Sequence, residues 1–153
     1  MATRKQENVT LAMAIIGLLI ILGAAMYSRT AHGATLSTVQ TAISKAKAKG
    51  EHSSVVVEAP NKSLVPIEVW KYHEKGCEGN ANVVVTDTKL TPTLMLTSIA
   101  AHTTLDSGVN VMLADINADG VIESVQYDAI LETKPDTATQ RLYDAILRCV
   151  VES

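Results

Sequence analysis

The chain has 153 residues, a net charge of −3, four tyrosines, one tryptophan and no phenylalanine. Proteins that bind single-stranded nucleic acid use a basic groove and aromatic stacking surfaces, and this composition supplies neither, so we expect no nucleic-acid partner. The length suits one folded domain of about 120 residues beside a shorter additional segment.

Residues 9–27 form an uninterrupted stretch without a single charged side chain. At about 1.5 Å of rise per residue, a helix of this length measures roughly 28 Å, close to the roughly 30 Å hydrocarbon thickness of a bilayer. The stretch therefore predicts a transmembrane helix, with the lipid bilayer as a partner. A cleaved export signal, with Ala31, His32 and Gly33 as the cleavage site, is the alternative.

The basic residues around this stretch predict its orientation. Arg4 and Lys5 precede it, and only Arg29 follows closely. Positive residues near a membrane favour the cytoplasmic side. We therefore expect residues 1–8 to be a short cytoplasmic segment and the C-terminal domain to be extracytoplasmic, in a cell envelope, a surface filament or a virion membrane.

Residues 28–50 show apolar side chains at helical spacing, in Leu36, Val39, Ile43 and Ala46. Gly50 is a typical helix stop. The pattern predicts one long helix from about residue 9 to residue 48, with the 28–50 part forming an amphipathic stalk. A break at Gly33, followed by a separate short helix, is the alternative.

Residues 51–153 have the pattern of a β-rich head domain. Short runs bounded by Pro, Gly, Asn or Asp predict six antiparallel strands, over residues 54–58, 64–72, 82–86, 93–99, 109–114 and 122–130. A helical face over residues 137–151, capped by Asp136 or Thr137, predicts a C-terminal helix. The predicted fold class is α+β: a long N-terminal transmembrane helix continuing into an amphipathic segment, then a small, mainly antiparallel β head with a C-terminal helix.

The most specific chemical signal lies in residues 115–123. A hard cation such as Ca²⁺ takes 6 to 8 oxygen ligands, and we expect it to be bound by four side chains and one backbone carbonyl, from Asp115, Asn117, Asp119, Glu123 and, through the carbonyl, Val121. The alternative is a solvated turn, since Asn, Asp and Gly also favour hairpin loops. The stretch resembles the calcium loops of FG-GAP repeats and thrombospondin-type modules, and the front half of an EF-hand loop.

Cys77 and Cys149 are the only cysteines. In an exported domain two cysteines favour a single disulfide, because such bonds persist in oxidising compartments. Two reduced thiols in a reducing compartment are the alternative. The chain contains no nucleophile elbow, paired zinc-ligand motif, phosphate-binding loop or dinucleotide turn, and we expect it not to be an enzyme.

A short basic leader, an apolar helix, an amphipathic continuation and a disulfide-braced β head together resemble the layout of type IV pilins and pseudopilins. This resemblance implies a membrane-anchored structural or assembly subunit, in a pilin-like filament or in a lipid-containing virion, that forms a homo-oligomer or joins other structural subunits. A calcium-dependent binding or adhesion module on a single-pass anchor, and an accessory subunit of a membrane complex, are the alternatives.

Overall fold

A computed structural model describes residues 36–77, 80–132 and 135–153 of the chain. The described elements are two helices and seven strands. In chain order they are α1 (Leu36–Lys49), β1 (Glu51–Glu58), β2 (Leu64–Lys75), β3 (Asn80–Lys89), β4 (Met95–Thr104), β5 (Asn110–Asp115), β6 (Ser124–Tyr127), β7 (Ile130–Glu132) and α2 (Thr137–Glu152).

The seven strands form one sheet in which the spatial order equals the chain order. Every neighbouring pair is antiparallel, so each strand returns beside the one before it through a short connection. The β1–β2, β3–β4 and β5–β6 loops consequently lie at the same end of the sheet. We call it the acidic-loop end, after the β5–β6 loop.

Both helices contribute to a core on one face of the sheet. Because successive strand residues point to opposite faces, alternate positions such as Val83 and Val85 of β3 are fully buried on this face. Val39 of α1 and Ile146 of α2 belong to the same buried cluster. Burial of one such side chain stabilises a fold by roughly 1.5–3 kcal/mol, so the two helices are integral parts of the domain. Val65, Ile67 and Val69 form a second cluster on the opposite face.

A close backbone approach follows the end of α1. The Gly50 amide donates to the Ala46 carbonyl at 2.7 Å. A Cβ atom at position 50 would lie 2.4 Å from that carbonyl oxygen and 2.8 Å from the Lys71 carbonyl oxygen. Glycine is therefore required for the chain to leave α1 and enter β1 beside β2.

The predicted fold class was wrong. The structure is a seven-stranded antiparallel sheet with two helices, and no helix within residues 36–77, 80–132 and 135–153 is long and apolar enough to cross a membrane. The described part of the predicted stalk is the 14-residue α1, which lies against the sheet because its apolar stripe is buried there. Residues 1–8, the predicted transmembrane segment 9–27 and residues 28–35 of the stalk lie outside the described residues.

The predicted strand runs overlap the observed strands, with one change at the C-terminal end of the sheet. The run 122–130 covers the whole of β6 and only the first residue of β7, because the chain turns between these strands at Asp128, whose φ is 48°. The predicted C-terminal helix is α2, and its N-cap is Asp136, whose side chain accepts a hydrogen bond from the Thr139 amide.

Candidate metal centre

The loop between β5 and β6 carries the predicted calcium ligands. It begins at Asp115, the last residue of β5, and it is closed where the Glu123 amide donates to the Ala114 carbonyl at 2.9 Å. Ala118 and Gly120 have φ angles of 55° and 96°, in the left-handed region that glycine favours. Two left-handed residues so close together curl the loop back on itself, which brings its side chains inward.

Three carboxyl groups converge inside this loop. One oxygen each from Asp115, Asp119 and Glu123 lies within 4.8 Å of the others. Asp115 and Glu123 are buried, and Asp119 is half-buried. Oxygen donors are the ligands that hard divalent cations prefer, so this cluster could hold a metal ion.

Asp115 is the most deeply buried of the three carboxyl groups, with no solvent exposure. Its Oδ1 accepts from the Asp119 amide at 3.1 Å, and its Oδ2 accepts from the Gly120 amide at 2.8 Å and the Tyr143 hydroxyl at 3.0 Å. Burial raises the pKa of Asp115 to about 6, although the hydrogen bonds from Gly120 and Tyr143 oppose the shift. The buried negative charge is therefore only partly compensated, and a cation in the cluster would offset the remainder.

The other predicted ligands shape the loop through short-range hydrogen bonds. Asp119 accepts from the Val121 amide at 2.9 Å and from the Asn117 side-chain amide at 3.0 Å. Glu123 Oε2 accepts from the Ile116 amide at 2.6 Å. The structure thus brings Asp115, Asp119 and Glu123 together and places Asn117 against Asp119, while the described contact of Val121 is made by its N–H group.

Two residues of α2 complete the centre, and neither was among the metal ligands predicted from the sequence. Tyr143 is fully buried and donates to Asp115; burial, together with the nearby negative charge of Asp115, raises the pKa of Tyr143 well above its ordinary value. Gln140 donates to the Gly120 carbonyl and accepts from the Ile122 amide, both at 3.0 Å. Helical spacing placed Tyr143 on the apolar face of the helix, but nothing local in the sequence relates it to a loop 28 residues earlier.

The predicted disulfide is confirmed at the other end of α2. Cys77 and Cys149 are bonded, with their Cα atoms 5.5 Å apart. The Lys45 ammonium of α1 also donates to the Val150 carbonyl at 2.7 Å. Hydrogen bonds to the β5–β6 loop therefore hold the N-terminal end of α2, and the disulfide holds its C-terminal end. Both connections keep Tyr143 in contact with Asp115.

Comparison of the chain with protein-family models, with curated proteins and with solved structures finds no match in any of the three.

Proposed function

We propose that this protein is a structural subunit of a surface or envelope assembly, and that its sheet domain makes contacts between subunits. The observation that carries this proposal is a group of large apolar side chains exposed at the acidic-loop end. Val56, Leu64, Leu94 and Met95 are 62%, 69%, 53% and 60% exposed. We call these four residues the apolar end patch.

The strand register supports treating these residues as one surface. Val56 lies opposite Pro66 in the β1–β2 pair, and Leu64 lies opposite Glu58, one side-chain position nearer the loop on the same face. Met95 lies opposite Lys89 in the β3–β4 pair, and Leu94 is in the connecting turn. Clustered exposed apolar side chains mark interaction sites, whereas single ones need no explanation.

Calcium is the ion we infer for the metal centre. The cluster offers only oxygen ligands, a side-chain amide stands beside it, and the loop backbone is curled around it; these features suit a large, hard cation that tolerates irregular coordination. An extracellular calcium module binds with a Kd of roughly 10⁻⁴ to 10⁻³ M. The ion would brace the loop, because the carboxylates repel one another less when it is bound.

A second candidate function, a calcium-dependent binding module, is favoured by one specific observation. The metal centre and the apolar end patch share the acidic-loop end of the sheet, since the β1–β2, β3–β4 and β5–β6 loops all lie there. An ion that orders the β5–β6 loop could therefore change binding at the patch.

An extracytoplasmic location remains part of the proposal. The disulfide supports it, because disulfides persist in oxidising compartments and are rare where thiols are kept reduced. A measurement of free thiols in protein isolated under non-reducing conditions from its native source tests this point. One intact disulfide is the expected result, and two free thiols would contradict the location.

Particle size separates the two candidate functions. Full-length protein is measured by light scattering with millimolar calcium and with a chelator, as wild type and as Leu64→Glu. The assembly function is supported if the wild type forms a large particle both with calcium and with the chelator, and if Leu64→Glu makes this particle smaller. A monomer that binds a partner only with calcium supports the binding module. Ile130→Glu is the matched control, because Ile130 is 66% exposed on β7, outside the patch.

Calcium binding is tested separately by thermal unfolding. We expect millimolar calcium to raise the Tm of the wild-type protein and to leave the Tm of Asp119→Ala unchanged. Magnesium serves as the control ion, because its stricter octahedral geometry at shorter distances suits this loop less well. Absence of a shift for the wild type in 10 mM calcium would remove calcium from the proposal.

A further inference from the structure

Strand β1 is an edge strand of the sheet that the described residues form. Among the described residues it pairs with β2 alone, and the pairing runs without interruption from Glu51 to Glu58. Its residues are exposed or half-buried. In a regular antiparallel strand, every second residue directs its N–H and C=O groups away from the neighbouring strand. An edge eight residues long therefore presents a row of backbone groups that can pair with a further strand.

The centre of β1 lacks the features that usually protect an edge. Residues 53–57 read Ser-Ser-Val-Val-Val, without charge or proline. Natural edges are commonly blocked by lysine, proline, a bulge or a very short strand. At the opposite edge, β7 has only three residues. The long, β-branched and uncharged run makes β1 the edge that is suited to strand addition.

We propose that β1 pairs antiparallel with β1 of a second copy of this chain, about a two-fold axis at Val55. This inference rests on the proposed assembly function and names the partner of one contact. Each copy contributes the same strand, so the interface is isologous and closed. The two sheets become one continuous sheet of fourteen strands, twice the seven of a single copy.

Geometry restricts the register of this pair. Opposed residues of antiparallel strands lie on the same face of a sheet. The helices of both copies lie on the same face of the joined sheet only if the two-fold axis is perpendicular to the sheet. One residue of β1 then lies opposite the same residue of the second copy. The central candidates are Ser54, Val55 and Val56.

The residues that face each other distinguish these three registers. With the axis at Val55, His52 lies opposite Glu58 of the second copy at both ends, and residues 52–58 are all paired. With the axis at Ser54, Glu51 faces the apolar Val57, and with the axis at Val56 only residues 54–58 overlap. The Ser54 and Val55 registers each pair seven residues, and of these two only the Val55 register sets polar side chains opposite each other at both ends.

His52 already has partners within one copy. Its ring stacks on Trp70, with centroids 4.9 Å apart, and its Nε2 lies 2.5 Å from Glu68 Oε2. Both partners belong to β2, on the side of β1 away from the second copy. The contact between the copies is therefore made by the backbone of β1.

Cysteine cross-linking tests the register directly. In full-length protein, Val55→Cys places two thiols opposite each other, with Cβ atoms about 4.5–5.5 Å apart, and mild oxidation should cross-link the chains. Val57→Cys is the matched control, because Val57 is a half-buried valine on the same face that lies opposite Ser53. We expect at least about five-fold more cross-linked dimer for Val55→Cys, because thiols at position 57 lie beyond disulfide reach of each other.

A second pair of variants tests the interface without new covalent chemistry. Val55→Lys places two ammonium groups together at the axis and should reduce the particle mass about two-fold or more, whereas Ile130→Lys, on the opposite edge strand β7, should not. Circular dichroism checks that both variants are folded. Equal cross-linking of the two cysteine variants, or equal masses of the two lysine variants, overturns the strand pairing. If the wild-type particle is multimeric, these results overturn only the strand pairing and not the assembly function. If the wild-type protein is a monomer, both the strand pairing and the assembly function are overturned.

Discussion

Lowering the pH should weaken calcium binding through Asp115. Burial raises the pKa of this carboxyl to about 6, so without calcium it is ionised at pH 7.5 and mainly protonated at pH 5. A cation then has to displace a proton, which weakens the apparent affinity by a factor of about 1 + 10^(pKa − pH). That factor is close to one at pH 7.5 and about ten at pH 5, equivalent to about 1.4 kcal/mol.

The same shift determines how stability depends on pH without calcium. The folded-state pKa of Asp115 lies above the ordinary value of 3.8, so between these values the folded state binds more protons than the unfolded state. The ionised carboxyl consequently destabilises the fold by about 3 kcal/mol above pH 6, and this cost disappears as the pH falls towards 3.8. The contribution of Asp115 should therefore make the calcium-free protein more stable as the pH falls through 6.

Thermal unfolding with and without 10 mM calcium at pH 7.5 and pH 5 measures both effects. For a Kd near 10⁻³ M, binding adds about 1.4 kcal/mol at pH 7.5 and about 0.4 kcal/mol at pH 5. The larger value corresponds to a Tm shift of roughly 5 °C for a domain of this size. Equal shifts at the two pH values would refute the role assigned to Asp115, and Asp119→Ala should show no shift at either.

Three further predictions concern the stability of the domain. Gly50→Ala should lower the free energy of unfolding by about 2 kcal/mol or more through overpacking, because the new Cβ meets a carbonyl oxygen at 2.4 Å. Gly108→Ala has open space around the new Cβ but a φ of 82°, and should lower it by about 1 kcal/mol. Urea denaturation measures both values. Replacing both Cys77 and Cys149 with alanine removes a disulfide that links residues 72 positions apart, and should lower the free energy of unfolding by about 4 kcal/mol. Reduction of the wild-type disulfide should cause the same loss in the same assay. Asp136→Ala removes the N-cap of α2 and should lower stability by about 1 kcal/mol; an unchanged Tm would contradict the capping role.

Features that depend on neighbours within a few residues could be predicted from the sequence. Short runs bounded by Pro, Gly, Asn or Asp predicted strands, because these residues favour turns through their own local backbone preferences. Asp136 could be recognised as a cap because its side chain needs only the amide of Thr139, three residues away. The order of oxygen-bearing residues from Asp115 to Glu123 predicted a loop whose carboxyl groups converge, since the curl of such a loop is itself local.

Contacts between distant parts of the chain were decided only by the tertiary structure. Helical spacing predicted the apolar stripe of α1, but whether that stripe continued a stalk or lay against a sheet depended on strands that follow it in the chain. Likewise, Tyr143 reaches Asp115 across 28 residues, and the apolar end patch forms because separate hairpins end on the same side. Sequence periodicity reports which side chains seek burial, but it does not say which surface buries them. That choice is made when the whole sheet assembles, because its long-range contacts select one arrangement among those that the local pattern allows.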